Sequence, residues 1–185
     1  MYTTIAFWLA YGLWGALALY VTVAGIGAKR DTETHLGQSF VLLFALVAAF
    51  VLPHLPPFAF VNFAPINPLV TTVGLVVTLA GMAVFVAGRQ SLGRNWSQTV
   101  SAKEGHELVE SGPYRYIRHP MYSGGIVAAI GCVLVAGGAF VFLLVFLVPV
   151  FLSRVVAEDR LMARQFPTEY PGYARRTKAL IPFLW

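Results

Sequence analysis

HELVESGPYRYIRHPMY, residues 106–122, is the most polar stretch of an otherwise apolar chain, and its reading decides the fold. Within 17 positions it holds two of the four histidines, two arginines, three tyrosines and two prolines. On either side lie long runs, Leu36 to Gly88 and Met121 to Ser153, without a single Asp, Glu, Lys or Arg. Polar side chains caught between such runs must meet water or satisfy one another, because burying them unpaired is costly. The stretch therefore reads as half of a pocket at a membrane surface, with the rest of the chain as scaffold.

Working outward, the 185 residues are 58% hydrophobic and only 11% charged, with a mean hydropathy of +0.72. Soluble domains carry about 25% charged residues, so the composition points to an all-α integral membrane protein of one domain, residues 1–185. Residues 1–28 carry no charge and suffice for a helix across a hydrocarbon core of about 30 Å. Without a basic start or a small-residue cleavage pattern they read as a span, about 3–28, and not as a signal peptide. Lys29 to Gly37 is a polar break. The next apolar run is punctuated by Pro53, Pro56, Pro57, Pro65 and Pro68, which interrupt helix. This predicts spans near 38–55 and 69–88 around a turn at 56–67, where Asn62 and Asn67 fit. Residues 89–120 form the longest polar segment. Beyond it a helical hairpin is expected, 121–136 and 140–157, turning at Gly137-Gly138. The last helix should continue through Arg154 to Gln165, until Pro167, Pro171 and Gly172 end it. Each arm of the hairpin has about 16 apolar residues, short against the roughly 17–25 of a usual span.

Five spans put all 13 basic residues on one side, with all eight acidic ones. The positive-inside rule makes that side cytoplasmic and the amino terminus external, as in a bacterial inner-membrane protein. The net charge of +5 is then topology and gives no reason to invoke nucleic acid. Gly74 and Gly81 could permit close helix approach, although glycine is common in membrane helices in any case. The lone Cys132 forms no disulfide within the chain.

Two cytoplasmic clusters can carry chemistry, one from the stretch 89–120 and one from 154–185. In the first, Ser111-Gly112-Pro113 is a turn signal, and Pro120 suits a first helical turn, where its missing N–H costs nothing. That holds His119 at the helix entrance, near the partial positive charge of free amide groups. His119 and Tyr122 read as site residues. Arg115, Tyr116 and Arg118 serve equally well as interfacial anchors. In the second, Arg154 and Glu158 stand four apart and share a helix face, where a long apolar helix leaves the bilayer. Ionisable residues at such depth are functional candidates. His106 and His119 have no third ligand close in sequence to suggest a metal, and neither a Walker loop nor GxGxxG is present.

These residues resemble a known family, the isoprenylcysteine carboxyl methyltransferases and their bacterial relatives, over about residues 74–183. One block is the RHPxYxG core within HELVESGPYRYIRHPMYSGG, standing here as Arg118-His119-Pro120-Met121-Tyr122-Ser123-Gly124. The other is RVVAEDRLMARQFPTEYPGYARRTKALIP, which matches R-x-x-x-E with a following acid, then E-Y-x-x-Y and a late I-P. The resemblance implies S-adenosyl-L-methionine as methyl donor, bound at the cytoplasmic face without a Rossmann domain. By position it implies cofactor contacts from Gln98, His106, Glu107, Leu108, Val109, Tyr114, His119, Pro120, Met121, Tyr122 and Glu158. Arg154, with Glu158 the expected catalytic pair, would face the acceptor's carboxylate. Asp159 stands where the family often has Glu, and its shorter reach argues against a role.

An activated sulfonium donor needs alignment and exclusion of water more than a metal or a nucleophile. A lipid-tailed acceptor could enter sideways from the membrane and present its head at that face. A carboxylate is favoured, with phospholipid amines, isoprenoid acids and lipophilic thiols as alternatives. Two other readings compete: an NADPH-dependent membrane reductase of the sterol or steroid type, and a non-enzymatic membrane protein.

Overall fold

Apolar sequence without charge must satisfy its own backbone in lipid, and a helix does so within one segment. The computed structural model describes residues 2–25, 55, 67–96, 105, 107–137 and 139–181. Its long elements are all helical: α1 (Tyr2–Gly25), α2 (Pro68–Leu92), α3 (Pro120–Ala136) and α4 (Ala139–Gln165). A seven-residue helix, α5 (Tyr170–Arg176), follows in the tail. Residues 68–95, counting the 3-10 turn after α2, and 140–165 are long and apolar enough to cross a membrane. Residues 8–23 and 120–135 are shorter apolar helices. The expected second span, 38–55, lies outside the described residues except for its last position. The third and fifth expected segments fall on α2, which runs further, to Leu92, and on α4, which continues to Gln165 as expected.

Local chemistry sets the helix ends. Asn67 caps α2, its side-chain oxygen accepting from the Leu69 amide at 2.9 Å, and Pro68 follows in the first turn. At the other end Gly93 takes φ +51° and returns its N–H to the carbonyls of Arg89 and Gln90. A side chain tolerates that backbone poorly. Arg89 reinforces the corner, donating to the Gly93 carbonyl at 2.8 Å and lying 4.4 Å from the centroid of Trp96. Gly137, also at positive φ, ends α3 at the expected hairpin turn.

The most extensive helix contact is α2 against α3, and glycine makes it possible. A Cβ on Gly74 would lie 2.8 Å from the Gly131 carbonyl, and one on Gly124 would lie 2.6 Å from the Phe85 amide. A Cβ on Gly81 would collide with the backbone of Ala128. Small residues let helix backbones approach where lipid offers no hydrophobic drive to pair them. Beside this seam α1 packs through Ala6 and Ala10, joining Cys132, Leu143, Leu147 and Phe151 in the main core. The Trp14 indole N–H donates to Cys132 Sγ at 3.2 Å and ties α1 to α3. Trp8, Leu19, Leu69 and Val76 point outward, as lipid-facing side chains do.

Candidate active site

Residues 107–119 lead into the start of α3, and the tail holds them there. Glu107 to Glu110 have no regular secondary structure, and Gly112 at φ +60° then opens a 3-10 turn, Gly112–Arg115. A Cβ on Gly112 would collide with Ser91 at the end of α2. Tyr114 is buried in that turn, and the Tyr173 hydroxyl of α5 donates to its carbonyl at 2.8 Å. Further along, Arg118 and His119 donate their amides to the carbonyls of Lys178 and Ala179 at 2.8 and 3.0 Å. Ser123 Oγ reaches the Leu180 carbonyl at 2.6 Å. The tail thus runs beside the entrance to α3 like a short parallel strand.

His119 is the residue just before α3, but its side chain does not cap the helix. It turns instead toward α4, whose apolar part ends at Ser153. Nε2 lies 2.9 Å from Asp159 Oδ1 and Nδ1 lies 3.3 Å from Glu158 Oε2. A neutral imidazole has one N–H and one lone pair, so two carboxylate partners call for the doubly protonated ring. Burial alone would lower the His119 pKa, yet hydrogen bonds with Asp159 and Glu158 outweigh it, and the value is raised. Burial likewise pushes the Asp159 carboxyl up, but hydrogen bonds from His119 and Tyr170 hold it well below the usual carboxylate range. Tyr114 is pushed well above an ordinary phenol, by burial first and by the Glu158 charge second.

Tyr122, one turn into α3, donates to Glu158 Oε1. Its ring stacks on His119, centroids 5.7 Å apart, and leans on Phe151 at 4.7 Å. Arg154 lies one helical turn before Glu158, is buried, and interacts with the Tyr122 phenol. The expected residues His119, Tyr122, Arg154 and Glu158 thus come together. Tyr114 lies near enough to feel the charge of Glu158. Pro120 and Met121 instead pack on α2, where a Cβ on Gly88 would meet Met121 Cγ at 3.0 Å and Pro120 Cγ at 3.2 Å. Glu107 is exposed, Leu108 and Val109 are half-buried, and Gln98 and His106 lie outside the described residues.

Asp159, discounted in the sequence for its short reach, is the hub of the junction. Besides His119 it accepts from the Tyr170 hydroxyl and from Arg118 Nε and Nη2 at 3.4 and 3.3 Å. Arg118 also donates through Nη1 to the carbonyls of Ala174 and Thr177 at 3.1 and 2.6 Å. Those carbonyls close α5, where a cation is favoured. The E-Y-x-x-Y pattern was the signal that could have found this junction, because Tyr170 donates to Asp159 and Tyr173 to the Tyr114 carbonyl.

Protein-S-isoprenylcysteine O-methyltransferase of Saccharomyces cerevisiae is 27% identical over 96% of this chain and 79% of its own length. The nickel-cobalt-cadmium resistance protein NccN of Alcaligenes xylosoxydans xylosoxydans is 34% identical over 64% of this chain and 53% of its own. A solved structure of the eukaryotic intramembrane Ras methyltransferase ICMT superposes with a TM-score of 0.55 at 20% identity. That match covers 83% of this chain and 55% of the solved one, so the chain spans little more than half of that protein's length. The family described as isoprenylcysteine carboxyl methyltransferase (ICMT) matches residues 72–164, half of the chain, from α2 through α4. The chain therefore belongs to the isoprenylcysteine carboxyl methyltransferase family, whose enzymes use S-adenosyl-L-methionine.

Proposed function

We propose that this chain transfers a methyl group from S-adenosyl-L-methionine to a carboxylate on a lipid-tailed acceptor, at the cytoplasmic face of the membrane. The observation that carries the reading is that buried Arg154 and Glu158 both meet the Tyr122 phenol, where the apolar part of α4 ends. The placement of all 13 basic residues on one side, which five spans would give, supports the orientation. The yeast relative's name specifies an isoprenylated cysteine, which makes an isoprenoid acid or isoprenylated carboxylate the acceptor class of choice. Family membership favours methyl transfer over the reductase alternative.

The residues suit the donor chemically. Its ammonium, sulfonium and ribose hydroxyls call for a fixed anion, and Glu158 is one: 30% exposed, with each oxygen held from behind by Tyr122 or His119. Buried Tyr114 offers an aromatic wall beside it. When bound, S-adenosyl-L-methionine supplies a methyl already activated as an electrophile, so a covalent nucleophile is unnecessary. Arg154 would hold the acceptor carboxylate and orient one oxygen for attack, its fork of donors matching that planar anion. The apolar helices α3 and α4 would keep water from the reacting atoms. His119, engaged by carboxylates at both nitrogens, is not available as a general base, and a carboxylate acceptor does not need one.

Calorimetric titration of the detergent-solubilised protein with S-adenosylhomocysteine tests this, with NADPH alongside. Saturable binding of the first and none of the second is expected. Arg154→Ala should keep that binding and lose at least about a hundredfold in turnover on an isoprenoid carboxylate, as when a charged transition-state contact is removed. Near-normal turnover of the variant would remove Arg154 from the mechanism.

A further inference from the structure

Asp159 lies behind the site and offers no oxygen that the geometry assigns to donor or acceptor. It takes His119 Nε2 at 2.9 Å, Arg118 through two nitrogens, and the Tyr170 hydroxyl. It therefore joins the entrance of α3, the body of α4 and the start of α5 at one carboxylate. The neighbouring Glu158 faces the other nitrogen of the same imidazole at 3.3 Å. The two carboxylates, consecutive in sequence, are bridged by one ring.

We propose that Asp159 is a positioning residue for donor binding: by keeping both nitrogens of His119 protonated, it makes His119 a fixed donor that aims the Glu158 carboxylate. The relay has four members in order, Asp159, His119, Glu158 and Tyr122, and the last closes it by donating to the far oxygen of Glu158. Without the Asp159 charge, His119 faces a single carboxylate and reverts toward ordinary titration. Once neutral, it can present a lone pair to Glu158 in place of a hydrogen. Glu158 then loses one of its two side-chain donors and the aim of Oε2. The charged and titratable groups facing His119 are Asp159 and Glu158 from α4, Arg118 and Tyr122 from its own segment, Arg154 through Tyr122, and Tyr170 of α5 through Asp159. Arg118 and Arg154 oppose protonation of the ring, so the two carboxylates must supply it. This inference rests on the proposed donor role of Glu158.

Two measurements on the full chain in detergent test it. The first is ring 15N NMR of His119 at about pH 8, above the ordinary histidine range, assigned by the signal lost in His119→Gln. Wild type should show both nitrogens protonated, whereas Asp159→Asn should show the neutral ring; a neutral ring in wild type overturns the proposal outright. The second is S-adenosylhomocysteine affinity against pH. Asp159→Asn should bind about tenfold more weakly near pH 8 and recover toward pH 6, as His119 regains its proton, and Asp159→Glu should restore wild-type affinity. A loss that is the same at every pH, or not restored by glutamate, would make Asp159 a mere fold contact and overturn the relay. Absence of wild-type binding would strike the donor role of Glu158 alone, since the NMR signal reads the Asp159–His119 link without ligand.

Discussion

The α2–α3 seam and the polar junction beneath it hold the same helix in opposite ways. At the seam, Gly74, Gly81, Gly124 and Gly131 bring backbones together by leaving side chains out. At the junction, Arg118, His119, Asp159 and Tyr170 connect three segments through charged side chains and hydrogen bonds. The difference follows from the surroundings. Within lipid an unpaired polar group is expensive and apolar contact earns little preference, so close packing is what remains. At the boundary, charges can be half-buried if each finds partners, and the partners then define position. The seam sets where α3 lies; the junction sets what its entrance presents.

The largest effect is expected from breaking the seam. Gly81→Leu forces a side chain against the Ala128 backbone and should cost about 3 kcal/mol or more, read as lost folded yield and a lower unfolding midpoint. Gly12→Leu on α1, where a Cβ meets nothing within 4 Å, should leave both unchanged. Equal damage from the two would show that the seam is not specially tight.

Next in size is Glu158→Ala at the junction. Removing a charge-assisted contact costs about 1.5–3 kcal/mol, so affinity for S-adenosylhomocysteine should fall about tenfold to a hundredfold by calorimetry. The seam should not notice, and the unfolding midpoint without ligand should move far less than for Gly81→Leu. Unchanged affinity would remove Glu158 from donor binding.

A smaller effect separates the regions by pH. The raised value of His119 means that its contribution to stability is whole below 6.5 and is lost as pH rises through the folded value. The lowered value of Asp159 means that its contribution is whole above 3.8 and is lost as pH falls through its folded value. The junction is therefore strongest between those limits, and thermal stability should decline on the alkaline side as His119 loses its proton. In Asp159→Asn that alkaline decline should shrink, while Gly81→Ala should keep its pH dependence. An alkaline decline identical in wild type and Asp159→Asn would assign it to other groups.

The smallest effect is expected at the exposed ion pair of Arg176 with Glu110, whose side chains are 56% and 37% exposed. Arg176→Ala should change unfolding by less than about 0.5 kcal/mol. A larger loss would extend the junction outward to the surface of α5.

The described helices were legible in the sequence because charge-free runs and proline punctuation act locally. Asn67-Pro68, Pro120 and Gly137 mark helix ends by chemistry that needs no distant partner. Much of the candidate site was legible for a related reason. Arg154 and Glu158 lie on one helix face by spacing alone, and His119 and Tyr122 flank the entrance of α3, three residues apart. What spacing could not carry was the pairing of segments far apart in the chain. Asp159 looked too short to matter, yet Tyr170 and His119 are brought to it by the tail, 11 and 40 residues away in sequence. Arg118 read equally well as a membrane anchor because its carbonyl partners at Ala174 and Thr177 lie beyond any local pattern.

By itself, then, the sequence determined an apolar, helical, membrane-type chain with a recognisable pair of motifs. Periodicity, charge and proline are properties of neighbours along the chain, and they act in any context. Only the tertiary structure decided that the side chain of His119 would bridge two carboxylates instead of capping its helix, and that Gly81 would touch Ala128. Those outcomes depend on which helix approaches which, and a hydrogen bond or a backbone contact exists only once both of its ends have arrived.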